Sequence, residues 1–399
     1  MPGKKGTIGI LTGGGDVPGL NPAIRAITIR ALREGYGVLG IRRGWAGLVD
    51  LIPDKDADNR ENVQVLTEDL VNRAGRTGGT FLHTSRTRPS HLPLREVPPH
   101  LQDRFSREVN DVTPAVLENL AFLGVEHLIP IGGDDTLSYA EHLHRKGIRV
   151  VAIPKTMDND VPGTDYCIGF STCVTRTIEL AHRLRTSAGS HERFLVLEVF
   201  GRYAGFTATL PTMAGAADRC VIPEYPFEME KLTELLSYDR NRHPSRYSVV
   251  LVSEGARIQG LDEMVFEGGE RDQYGHRKLG GIGDLVSASL KELSPAYNQG
   301  RRVNVVNQRL GYLVRSGDPD ALDSIVPMAF GNLALDLILD GSSGRLVSLR
   351  NGVYDSVPID VVTGRKKAVD IHKFYNPERL RPRYTTFERK PLFIMTSDV

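Results

Sequence analysis

Cysteine is scarce in this chain, which has only Cys167, Cys173 and Cys220. An odd number without the paired spacing of metal ligands fits neither a disulfide framework nor a structural zinc site, and it indicates a reducing compartment. A long apolar run is also lacking at the N-terminus. The run there ends at glycine too soon for a signal sequence or a membrane span. We therefore expect a cytoplasmic protein that does not enter a membrane.

A net charge is also lacking, because 50 lysines and arginines face 49 aspartates and glutamates, for a formal charge of +1. No overall field draws the chain to nucleic acid or to an acidic membrane, so neither is expected as a partner. Any site for an anion therefore has to be local. The 399 residues, of which 40% are hydrophobic, are enough to fill two globular lobes.

Short apolar runs recur along the chain, and most end in a turn that carries glycine or an acid. Such runs are typical of buried parallel strands, and the first is followed by helical spacing from Asn21 to Arg33, so the predicted fold class is α/β. The polar segments 258–302 and 379–390 are expected to be peripheral. The runs are Ile8 to Leu11, Val38 to Ile41, His127 to Ile131, Arg149 to Ile153, Phe194 to Val199 and Ser248 to Val252.

Three of these turns have the composition of a phosphate site, and ligands in open α/β sheets bind beyond the carboxyl ends of the strands. The first turn places three glycines, Gly13 to Gly15, before a helix, where backbone N–H groups suit a phosphate. A tight turn without a ligand explains it equally well. Its spacing matches neither the dinucleotide fingerprint nor the P-loop.

The second turn, Gly132 to Thr136, reads GGDDT, and a carboxylate at a strand end there can hold Mg²⁺ or simply cap a helix. The third turn, Pro154 to Asp160, reads PKTMDND. Its two aspartates beside a lysine and a threonine can serve as base, metal contact and electrostatic clamp, although Asp/Asn-rich loops are often only turns. Lys155 favours the functional interpretation, because a lysine beside a packed strand end suits an anion.

Arginines stand beside further strand ends, and their planar fork suits phosphate oxygens. Each one alone has the character of a solvated surface charge, but together they favour a site for phosphate. They occur in Thr84-Ser-Arg86, Ser190-His-Glu-Arg193 and Phe200-Gly-Arg-Tyr203, and an acid follows another strand in Ser253-Glu-Gly255.

Taken together and in order, these motifs resemble the phosphofructokinase family from Gly9 to about Asp323. The resemblance implies two lobes, each a largely parallel sheet flanked by helices. It assigns 1–169 plus 315–367 to a larger donor-binding lobe, 170–314 to a smaller sugar-phosphate lobe and 368–399 to a C-terminal extension. The motifs are LTGGGDVPGLN, GGTFLHTSR, IGGDDT, PKTMDND, SHER, EVFGRYAG, SEG and LGYLVRSGDPDALD.

The resemblance also implies roles for individual residues. Asp158 would be the catalytic base, and Arg193 would reach the site of a neighbouring subunit, so a homodimer or homotetramer is implied. Mg²⁺ would be the cofactor, held by Asp134 with help from Asp160. The donor would meet Gly14, Arg86, Asp135 and Thr136, and the sugar phosphate would meet Thr156, Asp158, Arg193, Phe200, Gly201, Arg202, Glu254, Tyr312 and Arg315.

The phosphoryl donor depends on Asp135 and Lys155, which stand where ATP-using members of the family have glycine. Pyrophosphate-using relatives carry this pair, so the resemblance implies transfer from pyrophosphate to the 1-hydroxyl of fructose 6-phosphate, with Asp158, Lys155, Asp135 and Thr156 as the catalytic set. Physically, the Asp135 carboxylate would repel the α-phosphate of ATP, and Lys155 would supply a cation to the transferring group.

Alternatives stay open. One is an ATP-dependent phosphofructokinase. Another sugar phosphate, such as sedoheptulose 7-phosphate, is a further one, because Val306 replaces a second bridging arginine of the family and Arg302 or Arg309 would have to compensate. A NAD kinase or a lipid kinase is a more distant alternative, because the GGD motif is shared with NAD kinases and diacylglycerol kinases. A regulatory subunit that binds sugar phosphates without catalysis is the alternative that is not an enzyme.

Overall fold

The computed structural model of the chain describes residues 5–261, 266–271, 277–364 and 366–384. Its strands are β1 (Thr7–Thr12), β2 (Gly37–Ile41), β3 (Val63–Val65), β4 (Leu92–Pro93), β5 (Val109–Asn110), β6 (Val125–Gly132), β7 (Arg149–Pro154), β8 (Phe194–Val199), β9 (Arg219–Val221), β10 (Ser248–Ser253), β11 (Phe266–Arg271), β12 (Arg277–Leu279), β13 (Val305–Arg309), β14 (Arg345–Arg350), β15 (Val353–Pro358), β16 (Tyr375–Asn376) and β17 (Arg381–Pro382).

The α-helices alternate with these strands, as the predicted α/β class requires. They are α1 (Leu20–Arg33), α2 (Trp45–Val49), α3 (Glu68–Ala74), α4 (Thr113–Phe122), α5 (Asp134–Arg145), α6 (Phe170–Ser190), α7 (Phe206–Met213), α8 (Met229–Arg242), α9 (Ile282–Leu293), α10 (Ala321–Leu339) and α11 (Ile371–Phe374).

The chain divides into two compact units. The first unit comprises Met1–Thr156, Val161–Gly169 and Ser316–Arg365, and the second comprises Met157–Asp160, Phe170–Arg315 and the chain from Lys366. The described part of the predicted C-terminal extension packs with the second unit, since Phe374 and Tyr375 are buried in its core. The rest of that predicted extension, 385–399, lies outside the described residues.

The first unit is built on a seven-stranded sheet in the order β15-β14-β7-β6-β1-β2-β3. The five central strands β14, β7, β6, β1 and β2 run parallel, and the two edge strands are antiparallel. The strand order reverses at β1, which has β2 on one side and β6 on the other. At such a switch point the carboxyl ends of neighbouring strands leave a crevice, so the turns after β1 and β6 lie next to each other.

Helix α10 shows why composition alone is a weak guide to a membrane span. It is the one described helix that is long and apolar enough to cross a membrane. In the structure it packs against α1 and β7, and residues such as Phe330, Ala334 and Leu335 are fully buried there. Its first turn is capped by the side chain of Asp320, which accepts the N–H of Asp323.

The second unit has a four-stranded parallel sheet in the order β13-β8-β10-β9, which confirms the prediction of a largely parallel sheet in each lobe. Here the order reverses at β8, between β13 and β10. The expectation that 258–302 is peripheral is wrong for α9, because Ile282, Val286 and Leu290 are buried in the core of this unit. Polar residues elsewhere in that segment dilute the helical apolar pattern of α9 in the sequence.

Candidate active site

The turn between β1 and α1 is held by hydrogen bonds of its own glycines. The N–H of Gly13 donates to the carbonyl of Ile131 (3.0 Å), and the N–H of Gly14 donates to that of Ser85 (2.8 Å). The hydroxyl of Thr84 in turn donates to the carbonyl of Gly14 (2.7 Å). These two N–H groups therefore fix the turn beside β6 and the Thr84 segment, and in this conformation Gly14 does not offer its own N–H to a donor phosphate.

Gly14 is required for a second reason. Its φ of 81° lies in the left-handed region, and a Cβ there would come within 3.2 Å of the Lys155 ammonium. Lys155 follows β7 directly, and its side chain is nearly enclosed, with the residue 4% exposed. Its Nζ donates to the carbonyl of Gly15 (2.6 Å). The glycine turn and the lysine predicted from the third turn thus form one cationic group in the first unit.

Asp135 lies in the first turn of α5, and its side chain is 53% exposed. Its carboxylate accepts a hydrogen bond from Arg88 Nη2 at 2.8 Å. Sequence reasoning selected Arg86, which is exposed, and missed Arg88. The available signal was the second arginine of the segment Ser85-Arg-Thr-Arg88, two positions after the first. The structure thereby pairs the acid that was predicted to choose the donor with an arginine.

Thr136 is buried, and its side chain lies between the first two turns. A Cβ on Gly13 or on Gly132 would clash with it, so both positions need glycine because Thr136 fills that space. Contact between Thr136 and a donor stays a prediction. Packing against Thr136 thus accounts for Gly13 and Gly132.

Asp134 begins α5 at the carboxyl end of β6, where its carboxylate is favourably placed by the helix dipole. Within the described residues no group of three or more metal-ligating side chains occurs. Mg²⁺ is commonly held by one or two carboxylates together with water and substrate phosphates. The role of Asp134 as a Mg²⁺ ligand stays a prediction.

In the second unit, the turns after β8 and β10 are joined backbone to backbone. The N–H of Glu254 donates to the carbonyl of Val199 (2.9 Å), and that of Gly255 donates to the carbonyl of Gly201 (3.1 Å). A Cβ on Gly255 would clash with the carbonyl of Arg202, and Gly201 has a φ of 121°. The two glycines thus allow Arg202 and Glu254 to lie side by side.

Asp158 belongs to this group, because its carboxylate accepts the backbone N–H of Arg202 at 3.2 Å. Burial raises the pKa of Asp158 well above its ordinary value, and the nearby charges of Asp160 and Glu254 raise it further. Burial likewise raises the pKa of Glu254 to about 7. The second unit therefore contains a cluster of carboxyl groups with high proton affinity, as a residue that takes a proton from a hydroxyl requires.

Arg315 supplies a buried cation near the same strand ends, since the residue is 8% exposed. Its guanidinium carbon lies 5.9 Å from the centre of the Phe200 ring and 5.3 Å from that of Tyr312. Tyr312 itself is 74% exposed. The structure thus brings together Phe200 from one motif with Tyr312 and Arg315 from another.

Glu198 and Arg309 extend this group, and Glu198 was missed by sequence reasoning. They are register partners at the ends of β8 and β13, and Arg309 Nε lies 2.9 Å from a carboxylate oxygen of Glu198. Glu198 was visible as an acid inside the apolar run FLVLEV, where an ionised side chain needs a partner. Of the two arginines considered as replacements for the family's bridging arginine, Arg309 lies close enough to lower the pKa of Glu254.

Arg193 does not join the group within its own chain. It stands directly before β8, at the opposite edge of the sheet from Arg202 and Glu254, which follow β8 and β10. Its Nε is buried and has no hydrogen-bond partner among the residues that the structure describes. Thr156, partly buried, is the last residue of this part of the first unit, so the segment from Lys155 to Asp158 passes from one unit into the other.

Residues 7–338 match the family model described as phosphofructokinase. The chain is 36% identical over 369 residues to a pyrophosphate--fructose 6-phosphate 1-phosphotransferase of Dictyoglomus thermophilum, covering 92% of this chain and 96% of the relative. A protein of the same name from Streptomyces coelicolor is 38% identical over 91% of this chain and 96% of its own. An ATP-dependent 6-phosphofructokinase of Chloroflexus aggregans is 36% identical over 93% of this chain and 95% of its own.

Solved structures agree on the fold. The pyrophosphate-dependent phosphofructokinase from Nitrosospira multiformis superposes with a TM-score of 0.75 at 17% identity, over 98% of this chain and 92% of its own. The one from Marinobacter aquaeolei gives a TM-score of 0.72 at 19% identity, over 95% and 89%. At these identities the likeness shows the fold and leaves the donor open.

Proposed function

We propose, starting from the fact that this chain belongs to the phosphofructokinase family of phosphotransferases, that it transfers a phosphoryl group from pyrophosphate to the 1-hydroxyl of fructose 6-phosphate. The observation that carries this proposal is the composition of the first unit. It holds the buried Lys155 beside the glycine turn, and the Asp135 carboxylate on the first turn of α5. We call these residues, with Arg88 and Asp134, the donor half.

Asp135 disfavours a nucleotide for an electrostatic reason. The first turn of a helix, with its exposed N–H groups and positive dipole end, attracts phosphate oxygens. The Asp135 carboxylate lies at this positive end of the helix. Its ion pair with Arg88 also leaves that guanidinium less available to a phosphate. An α-phosphate brought to the same place would meet like charge and a side chain in its space. Pyrophosphate has no third phosphate group to place.

Lys155 supports the same donor. The Lys155 ammonium is almost enclosed and donates a hydrogen bond to the carbonyl of Gly15, which holds it beside the glycine turn, where it would attract an anion. Phosphoryl transfer spreads negative charge over the oxygens of the transferred group, and a preorganised cation stabilises that charge. Mg²⁺ held by Asp134 would neutralise further charge on the pyrophosphate.

Asp158 is proposed as the base. Its carboxylate takes the proton of the attacking 1-hydroxyl while the oxygen forms a bond to phosphorus and the bridging oxygen of pyrophosphate leaves as phosphate. The raised proton affinity of Asp158 suits this step, since a weakly basic carboxylate would hold the proton poorly. The products are fructose 1,6-bisphosphate and phosphate, and we propose a reversible reaction in glycolysis and gluconeogenesis.

The sugar phosphate is proposed to bind Asp158 together with residues at or after the ends of β8, β10 and β13. We call this set the acceptor half: Asp158, Phe200, Gly201, Arg202, Glu254, Arg309, Tyr312 and Arg315. Arg315 between two rings is a rigid cation of the kind that suits a phosphate. Arg193, at the other edge of the same sheet, would serve the acceptor half of a neighbouring subunit, so we propose a homo-oligomer.

The proposal is tested by a coupled assay with fructose 6-phosphate and Mg²⁺, run in parallel with pyrophosphate and with ATP. Turnover with pyrophosphate and little with ATP is expected. The second candidate is an ATP-dependent 6-phosphofructokinase, which the 36% identity to the Chloroflexus protein favours. Turnover with ATP alone would establish that candidate, and turnover only with sedoheptulose 7-phosphate would overturn the proposed acceptor.

A further inference from the structure

The second unit has a polar cavity of about 630 Å³ at the edge of its sheet where β8, β10 and β13 begin. The acceptor half follows the other ends of the same parallel strands. These strands have five or six residues, and at about 3.3 Å a residue the two edges lie roughly 15–20 Å apart. The cavity is therefore separate from the acceptor half.

Positive charge dominates the lining of this cavity. Four arginines line it, Arg240, Arg246, Arg301 and Arg302, against the single carboxylate of Glu192. That carboxylate is shared, since it lies 3.3 Å from Arg240 Nη2 and 3.2 Å from Arg246 Nε. Neither Arg301 nor Arg302 pairs with a carboxylate among the described residues. An excess of three positive charges is left for a ligand.

Arg240 shows that this charge is built into the protein and is not only a feature of its surface. The residue is 5% exposed, and its Nε donates to the carbonyl of Glu192 (2.8 Å). Burial lowers the pKa of Arg240 below its ordinary value, and the charge of Arg246 lowers it further. A buried guanidinium next to a second one is costly unless negative charge is supplied. Glu192 supplies one such charge for both.

The backbone around the cavity is strained in a way that points in the same direction. Glu192, Arg246 and Gln299, all of which line the cavity, have φ values of 54°, 50° and 54°. A side chain other than glycine is strained in this left-handed region, and such residues cluster at functional sites. At these three residues the left-handed backbone directs polar side chains towards the cavity, which an ordinary backbone conformation would direct elsewhere.

We infer that this cavity binds a small molecule that carries at least two phosphate groups. Guanidinium forks pair with phosphate oxygens two at a time, and the excess charge exceeds what one phosphate neutralises. The volume falls in the range of small-molecule sites, and the ring of Tyr297 with the amides of Asn241 and Asn298 can contact the rest of a ligand. The inference does not rest on the proposed function, because none of these residues belongs to the donor or acceptor half.

The test compares the wild-type chain with Arg302→Glu and with Arg350→Glu. Arg302 is exposed at the cavity, and Arg350 is an exposed arginine of the first unit, so the control makes the same charge change elsewhere. Equilibrium dialysis of the full chain counts bound pyrophosphate and, separately, bound ADP per chain. Whatever the donor half binds, Arg302→Glu should lose one bound diphosphate per chain, or bind it at least tenfold more weakly, while Arg350→Glu matches the wild type.

Comparing pyrophosphate with ADP shows whether the cavity recognises a bare diphosphate or a nucleoside diphosphate. Chemical modification of arginine followed by peptide mapping should also show that the bound ligand protects Arg301 and Arg302. Equal binding of both ligands by all three proteins would overturn the inference. A changed mass of the assembly in Arg302→Glu without any loss of bound diphosphate would also overturn it, and would assign the cavity to contact with a second copy of the chain.

Discussion

The donor half and the acceptor half handle charge in opposite ways. In the donor half the charged groups have internal partners, with Lys155 bonded to the carbonyl of Gly15 and Asp135 paired with Arg88. In the acceptor half, acids are crowded and buried so that the pKa values of Asp158 and Glu254 rise. If the proposed function is correct, the donor half would select its anion by charge, and the acceptor half would hold a proton in the course of the reaction.

The largest effect is expected from Asp158→Asn, which removes the proposed base while keeping the shape of the side chain. A positioned general base contributes about 10²- to 10⁴-fold, so kcat should fall by that factor with KM for the sugar phosphate changed much less. Steady-state kinetics with the productive donor measure it. An unaltered thermal melting curve serves as the folding control, and a kcat within threefold of the wild type would remove Asp158 from the role of base.

Lys155→Met should follow in size, because it deletes the cation of the donor half. A preorganised donor of this kind contributes about 10²- to 10³-fold in turnover. We expect that loss in kcat with pyrophosphate, and little rescue by Lys155→Arg, because the enclosed space beside Gly14 and Gly15 has no room for the larger guanidinium. Unchanged pyrophosphate turnover in Lys155→Met would show that the donor half does not act through this residue.

Glu254→Gln should stabilise the protein in the absence of substrate. In the folded state the pKa of Glu254 is raised to about 7. As the pH rises, the unfolded state therefore loses this proton first, and the free energy of unfolding falls until the carboxyl is ionised in both states above pH 7. At pH 8 the gain should reach up to about 3 kcal/mol, and it should vanish near pH 4, where the carboxyl is protonated in both states.

Denaturant unfolding at pH 4, 6 and 8 measures this gain. Glu234→Gln is the matched control, since that glutamate is exposed and pairs with Lys231. A gain that does not depend on pH would contradict the assignment of burial as the cause, and so would an equal gain in the control.

The pH profile should show the smallest effect. A base with a raised pKa loses activity as pH falls, because it is then protonated before the substrate arrives. The acidic limb of kcat/KM should therefore lie well above the ordinary range of a carboxyl group, falling up to tenfold for each pH unit. An acidic limb at pH 4 would contradict a raised pKa of Asp158 in the free enzyme.

The division into two sheets was implied by the family resemblance. The apolar runs predicted six of the eleven strands in the two main sheets, because buried parallel strands are near-continuous apolar runs with glycine or acid at their ends. Gly201 and Glu254 were found in the same way. The α9 helix was not, since its apolar residues stand among polar ones and only burial against the sheet reveals them.

Arg88 and Glu198 were missed for a different reason. Each acts through a partner distant in the chain, Arg88 through Asp135 and Glu198 through Arg309, and the pairing depends on strand register and helix position. Arg193 is the converse case, because its motif predicts a role in the site and the structure places it at the other edge of the sheet from the acceptor half. Its position directly before the run Phe194–Val199 was the signal in the sequence for that edge.

The most direct test of the account is the ratio of kcat/KM for pyrophosphate to kcat/KM for ATP, measured in the wild type and in Asp135→Gly. Removing the carboxylate frees the first turn of α5 and the guanidinium of Arg88, so the ratio should fall at least tenfold, with part of the change appearing as new ATP turnover. A ratio that stays the same in Asp135→Gly would contradict the claim that charge in the donor half selects pyrophosphate.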